Sequence, residues 1–303
     1  MSGVLVTGAS GFVGLPVLER LVCAGAEVHA LSTRARPPEL PGVCWHRADL
    51  ADRDEVDGLL DGIAPERLVH LAWCTEHGRF WRAPENVLWV QWSLQLVHAF
   101  VRRGGRRLLV LGTCAEYDWS SVEGPLSESA SPLAPATLYG AAKDALRRVT
   151  HAYTEQEGVE LAWGRLFFLY GPREAPGRLV PSVIRSLLAG EPVATGSGEQ
   201  VRDFMHVEDV AGAVVALLDS PVVGAVNIAS GAAVTVGELI DRIVQLLGRP
   251  ELVRRGALPE RAGEPRLLLA DVARLRDEVG FRPHWALGDG LAASVRWWQE
   301  QES

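Results

Sequence analysis

Val4-Leu5-Val6-Thr7-Gly8-Ala9-Ser10-Gly11-Phe12-Val13-Gly14 decides how the chain folds. A β-rich run enters three glycines at GxxGxxG spacing, and apolar residues then recur at helical intervals (Phe12, Val13, Leu15, Val17, Leu18, Leu21, Val22). The pattern predicts strand, tight turn, helix. Gly8 permits the turn, Gly11 lets backbone N–H groups approach a pyrophosphate, and Gly14 lets the helix pack on the strand. The helix N-terminus adds partial positive charge where phosphates would lie. A strand before and a helix after are the context that turns a glycine-rich turn into a dinucleotide site. Gly8, Ser10, Gly11, Phe12, Val13 and Gly14 are therefore expected cofactor contacts.

Working outward, strands are expected over 27–31, 43–46, 67–72, 107–112 and 160–168, with helices over 53–63, 87–103 and 136–156. Such alternation predicts an α/β fold: a doubly wound parallel sheet of the Rossmann type that binds NAD(P). The run Leu108-Leu109-Val110-Leu111 suits a strand buried on both faces. After about residue 170 the pattern loosens into short helices over 179–189, 208–218 and 236–247, with short strands between them. The expected division is a nucleotide-binding domain over 1–170 and a smaller α/β substrate lobe over 171–303, with the strand and helices near 206–230 free to return to the first. Trp297 and Trp298 on a final helix are expected to pack.

The end of the second strand chooses the cofactor. An acidic residue there would bind the 2′-hydroxyl of an adenosine ribose. The sequence instead reads Ala30-Leu31-Ser32-Thr33-Arg34-Ala35-Arg36. A hydroxyl and guanidinium groups accept a 2′-phosphate that a carboxylate would repel. NADP(H) is the expected cofactor, with NAD the alternative. Ser32 and Arg34 lead, Arg36 follows, and Asp49 and Leu50 are placed to meet the adenine.

Composition narrows the class. The 303 residues are 48% apolar and 22% charged, a globular balance. A net charge of −8 argues against nucleic acid, which needs a basic face. No apolar run approaches the roughly 20 residues of a membrane span. The N-terminus has no basic leader region, so a cytoplasmic enzyme is expected. Cys23, Cys44, Cys74 and Cys114 show no CxxC or other metal spacing; they are expected to be reduced, mostly buried thiols, with no metal site.

Tyr139-Gly140-Ala141-Ala142-Lys143 falls on a predicted helix, and residues four apart share a face. Lys143 is the only lysine in the chain. An ammonium one turn from a tyrosine is expected to lower the hydroxyl's pKa and make it a usable acid or base. Thr113 ends the fifth strand, where open sheets of this kind place ligands, and offers a hydroxyl to a reacting oxygen. Trp73, Trp81, Trp89, Trp92 and Trp119 are open to two roles, core or the wall of a sugar pocket. His77 is expected on an exposed loop.

The glycine motif, Thr113 and Tyr139–Lys143 resemble the extended short-chain dehydrogenase/reductase family. So do RLFFLYGP (165–172), RDFMHVEDVA (202–211), VNIASG (226–231) and GFRPHWALGDGL (280–291), which together cover nearly the whole chain in family order. The resemblance is to the nucleotide-sugar branch of NAD(P)-dependent epimerases, dehydratases and ketoreductases. It implies Tyr139 as acid/base, Lys143 as its modulator and Thr113 as hydroxyl partner. It further implies that Leu71, Ala72 and Trp73 line the cofactor. On the substrate side it implies that Arg202 and Arg261 clamp a diphosphate and that the backbone of Val193 to Thr195 meets the nucleobase. A structural ion pair between Arg202 and Asp203 is the competing expectation.

Family dehydratases carry an Asp-Glu pair directly after the catalytic threonine. Cys114 and Ala115 stand there instead, which disfavours dehydration. The cysteine and histidine of family enzymes that epimerise carbons 3 and 5 are likewise not matched, since Cys114 is offset by one position and Arg178 replaces the histidine. Phe168 replaces a family asparagine. The expected activity is NADPH-dependent reduction of a nucleotide-linked keto sugar, at carbon 4 of a 6-deoxyhexose. A 4-epimerase is the alternative, and a non-catalytic NADP-binding protein a third. Relatives also lead us to expect a homodimer through helices near 90–103 and 136–156.

Overall fold

β1 (Val4–Thr7) is wholly buried because it is a central strand, paired in parallel with β2 (Val28–Ser32) on one side and β4 (Arg67–His70) on the other. The computed structural model describes residues 3–120, 122–259 and 263–302. β3 (Val43–Arg47) extends the sheet beyond β2. On the other side come β5 (Arg107–Thr113), β6 (Glu160–Leu166) and, much later in the chain, β10 (Gly224–Ile228). The order β10-β6-β5-β4-β1-β2-β3 is parallel throughout and reverses direction between β1 and β4. A reversal of that kind opens a crevice at the C-terminal ends of the strands, where ligands of such sheets bind.

Helices cover both faces. α1 (Gly14–Cys23) and α6 (Val207–Asp219) bury Val17, Leu18, Val210 and Val214 against one face. α2 (Arg53–Ile63), α3 (Glu85–Arg102) and α4 (Leu138–Glu157) bury Leu60, Leu96, Phe100 and Leu146 against the other. Leu108, Leu109 and Val110 have no exposed surface, and each such side chain contributes roughly 1.5–3 kcal/mol by leaving water.

The second lobe begins with β7 (Phe168–Tyr170) and α5 (Leu179–Leu188). It continues with β8 (Val193–Ala194) and β9 (Val201–His206). The chain then returns to the main sheet through α6 and β10. β11 (Ala233–Thr235), α7 (Val236–Leu247), β12 (Val253–Arg254), β13 (Leu267–Leu268) and α8 (Leu287–Glu302) complete the lobe. β9 is its organising strand, flanked by β11, β13 and β7, while β8 pairs with β12. Ile184, Leu239, Ile243, Leu291 and Trp298 form its core, with Trp297 half-buried beside them.

Two expectations need correction. The run over 160–168 is not one strand. Phe167 N makes a last hydrogen bond to Ile228 O, at 3.3 Å, and the chain then leaves the main sheet so that Phe168–Tyr170 pairs with Phe204–His206. A continuous apolar run has no mark that says which of two buried sheets it joins. The cysteines are not mostly buried: Cys114 is, Cys74 is half-buried, and Cys23 and Cys44 are exposed. Cys23 ends α1, and Cys44 lies on the edge strand β3.

Candidate active site

Tyr139 enters the site because α4 begins where it does. Thr137 caps the helix, its Oγ1 accepting from Gly140 N at 3.1 Å. A Cβ at Gly140 would lie 2.3 Å from Ala115 O, so only glycine lets the first turn of α4 touch the Cys114–Glu116 turn that follows β5. That contact sets Tyr139 beside the Thr113 hydroxyl, close enough for the two to interact. Lys143, one turn on, donates from Nζ to Leu111 O at 2.8 Å and lies 3.8 Å over the Trp73 ring. All three side chains are buried. The residues expected to carry chemistry thus converge at the C-terminal end of β5.

Burial dominates the electrostatics of the site. Burial holds the Tyr139 hydroxyl above the ordinary tyrosine range, with the Thr113 hydrogen bond working the other way. The Lys143 ammonium is engaged by the Leu111 carbonyl and the Trp73 face. Burial pushes Lys143 itself down to about 7, opposed by the charge of Glu116. Desolvation is thus the largest influence on both groups. Burial thus favours the protonated form of Tyr139. If Lys143 must be charged, kcat/KM for a reduction should fall roughly tenfold per unit as pH rises above about 7. A pH–rate profile checks this, and a flat profile from 7 to 9 would exclude the lysine from the rate.

The glycine loop fits a dinucleotide. Gly8 has φ +66°, and a Cβ there would meet Ala72 N at 2.7 Å, so the loop lies directly against the segment after β4. A Cβ at Gly14 would lie 2.3 Å from Gly8 O, which fixes the close start of α1. Ser10, Phe12 and Val13 lie between these glycines in sequence, Leu71 and Ala72 abut Gly8, and Trp73 follows them in the chain. Ser32 Oγ, at the end of β2, lies 3.2 Å from Ser10 Oγ and accepts from Arg34 N at 3.1 Å. Arg34 and Arg36 are exposed and enter no ion pair among the described residues. Asp49 is exposed after β3 with Oδ1 accepting from Ala51 N, and Leu50 is buried beside it.

Aromatic rings enclose the tyrosine. Phe80, Trp81 and Trp73 meet its ring at centroid distances of 5.0, 5.8 and 6.4 Å, and Trp119 stands behind Trp81 at 5.9 Å. Trp89 and Trp92 instead pack into the core under α3, where Trp89 stacks on Trp73. Trp81 and Trp119 thus stand by Tyr139, Trp89 and Trp92 by the core, and Trp73 by both. His77 is exposed, as expected, against Gly177.

On the substrate side, Arg202 is buried but does not pair with Asp203. Its guanidinium donates to Glu264 Oε1 at 2.7 Å and lies 5.5 Å over Phe168, while Asp203 accepts from Ser230 and Gly231. Thr195 N and O are both engaged, by Arg254 O and Leu258 N. The Thr195 backbone thus keeps only the second lone pair of its carbonyl for a base. Val193 is buried in the β8–β12 pair. Arg261 lies outside the described residues.

The sequence profile of the family described as "NAD dependent epimerase/dehydratase family" matches residues 4–229. The chain belongs to this family. A dTDP-4-dehydro-6-deoxy-D-allose reductase of Streptomyces is 30% identical over 98% of this chain and 96% of its own length. UDP-glucuronic acid decarboxylase 1 of Xenopus tropicalis is 28% identical over 98% of this chain and 72% of its own. A solved structure of MoeE5 in complex with UDP-glucuronic acid and NAD superposes with a TM-score of 0.86 at 31% identity, over 99% of each chain. This epimerase/dehydratase family member is thus a nicotinamide-dependent enzyme of the nucleotide-sugar class. Among the described residues no helix is long and apolar enough to cross a membrane.

Sequence reasoning missed the group that positions the family threonine. Glu116 is fully buried. Its carboxylate accepts from Thr113 N at 2.8 Å, Trp163 Nε1 at 2.9 Å and Arg165 Nε at 2.8 Å. Arg165 continues to Tyr117 OH, which donates to Asn227. The only local signal was the Thr113-x-x-Glu116 capping box. The carboxyl is fully occupied inside the protein, so it does not restore the acid missing at 114 and 115. Asn86 was also missed; it accepts from Trp73 Nε1 and donates to Phe80 O and Ala83 O, fixing two walls of the pocket together.

Proposed function

We propose that this chain is an NADPH-dependent reductase of a nucleotide-linked keto sugar, acting at carbon 4 of a 6-deoxyhexose. The observation that carries it is a protonated Tyr139, buried beside the Thr113 hydroxyl in an aromatic box, with no second acid–base pair at 114 and 115. Thr113 and Tyr139 hydrogen-bond the substrate carbonyl oxygen, and Tyr139 gives it a proton. Lys143 holds the cofactor's ribose and, while charged, stabilises the tyrosine that has lost its proton. Phe80, Trp81 and Trp119 keep water from the carbonyl. When bound, the nicotinamide supplies the hydride. The reductase among the relatives supports this reading.

On the cofactor side, Gly8, Gly11 and Gly14 hold the pyrophosphate, and Ser32, Arg34 and Arg36 take a 2′-phosphate. Arg34→Ala should weaken NADPH roughly 10–100-fold and leave NADH unchanged, the worth of one or two charge-assisted hydrogen bonds. Fluorescence titration measures both. Wild-type protein that binds NADH as tightly as NADPH would sink the assignment. Arg202, released from Glu264, and Arg261 hold the diphosphate in this proposal. α3 and α4 lie side by side and expose Val87, Leu88, Leu138 and Val149, which supports a homodimer through these helices. Sedimentation should give twice the chain mass, and a monomer would exclude it.

A 4-epimerase needs the same three residues. It would purify with bound cofactor and need none added, whereas the reductase consumes NADPH with each turnover.

A further inference from the structure

The edge of the main sheet carries a second cluster of chemistry-bearing side chains, unconnected with the catalytic pocket. β2 and β3 pair in parallel with His29 opposite Cys44 and Leu31 opposite His46. Alternation along a strand puts every second residue on one face. Glu27 and His29 from one chain segment, and Cys44 and His46 from the other, therefore share the face on which Leu31 packs toward α2. The ligand atoms of His29, Cys44 and His46 all lie within 4.8 Å of one another. His29 Nδ1 and His46 Nε2 are 2.9 Å apart, and the other nitrogen of His29 lies 3.4 Å from Glu27 Oε1. Gly3 backs the cluster: a Cβ there would touch His29 Cδ2 at 3.5 Å.

We propose that His29 Nδ1, His46 Nε2 and Cys44 Sγ form a site for one borderline-soft divalent transition-metal ion, zinc being the natural occupant, with Glu27 orienting His29 from behind. Two imidazoles and a thiolate are the donor set such ions prefer, whereas magnesium and calcium take oxygen ligands. Metal–nitrogen bonds of about 2.0–2.1 Å at tetrahedral angles separate two nitrogens by roughly 3.3–3.4 Å. The imidazoles need open by only about 0.4 Å to receive the ion. A carboxylate on the far nitrogen of a metal-bound histidine fixes its tautomer and ring orientation, the place Glu27 holds. Three protein ligands leave a fourth position for water. Because the ligands come from both β2 and β3, the ion ties the edge strand to the sheet.

Cobalt(II) is the probe. Titrated into the metal-free full-length protein, it should bind one equivalent per chain. It should develop the near-ultraviolet thiolate-to-cobalt charge-transfer band together with the visible bands of a tetrahedral ion, and zinc should bleach both. Cys44→Ser, at an exposed position, should fold normally and lose the charge-transfer band. The double variant Cys23→Ser/Cys74→Ser should keep it. Glu27→Gln should weaken cobalt binding about 10–100-fold. Zinc should raise the Tm of the wild type and not of Cys44→Ser. No binding, binding without the charge-transfer band, or a band that survives Cys44→Ser would each overturn the proposal and leave the two histidines as a hydrogen-bonded pair.

Discussion

Tyr139→Phe should lower kcat for ketone reduction by at least ~10²-fold while NADPH binds as before. The substitution removes one oxygen and keeps the ring. Phe80, Trp81 and Trp73 meet that ring edge-on, so the aromatic box survives. What is lost is the hydroxyl beside Thr113 that would pass a proton to the carbonyl oxygen. Cys114 does not replace it, since burial pushes that thiol up to about 12. The measurement is single-turnover oxidation of NADPH with saturating substrate, beside a binding titration. A variant within threefold of wild type would remove Tyr139 from the chemistry.

Glu116→Ala should destabilise the protein by about 3–5 kcal/mol, the usual cost of stripping the partner from a buried charge. Arg165 is 1% exposed, and the substitution leaves its Nε facing a void. Trp163 Nε1 and Thr113 N lose their acceptor as well. Glu116→Gln separates charge from shape: it restores the volume and part of the hydrogen bonding but not the negative charge, and should fall between the two. Chemical denaturation measures both variants. On the proposed function, activity should fall with them, because Thr113 N is one anchor of Thr113. A loss below 1 kcal/mol for the alanine variant would mean that Arg165 finds another partner.

How far the sequence could be read follows from where each constraint acts. Gly8, Gly11 and Gly14 were legible because local backbone shape demands them: a positive φ, a close approach and a helix start that admits no side chain. Tyr139 and Lys143 were legible through helix periodicity, and composition sharpened the second. In a chain with 29 arginines, Nζ of the single lysine is buried over Trp73 with one carbonyl acceptor, a place where a guanidinium would strand most of its donors. The effect of that burial on the tyrosine was not legible, because desolvation depends on Phe80 and Trp81 arriving from a distant loop. Glu116 shows the same limit. Its capping box is local, but its partners depend on the β5–β6 register, which sets Gly112 opposite Arg165. The His29, Cys44 and His46 cluster was hidden for that reason too, since no ligand spacing within one segment announces it. The break at Phe167 turns on which of two sheets offers the next partner, and an apolar run is silent on that.

The central claim is a net reduction by Thr113, Tyr139 and Lys143. The most direct test incubates the protein with NADPH and a panel of 4-keto-6-deoxy nucleotide sugars, following absorbance and product together. The account predicts one NADPH oxidised for each sugar reduced at carbon 4, with no turnover until NADPH is added. Conversion of a nucleotide sugar to its 4-epimer without net loss of NADPH would contradict it.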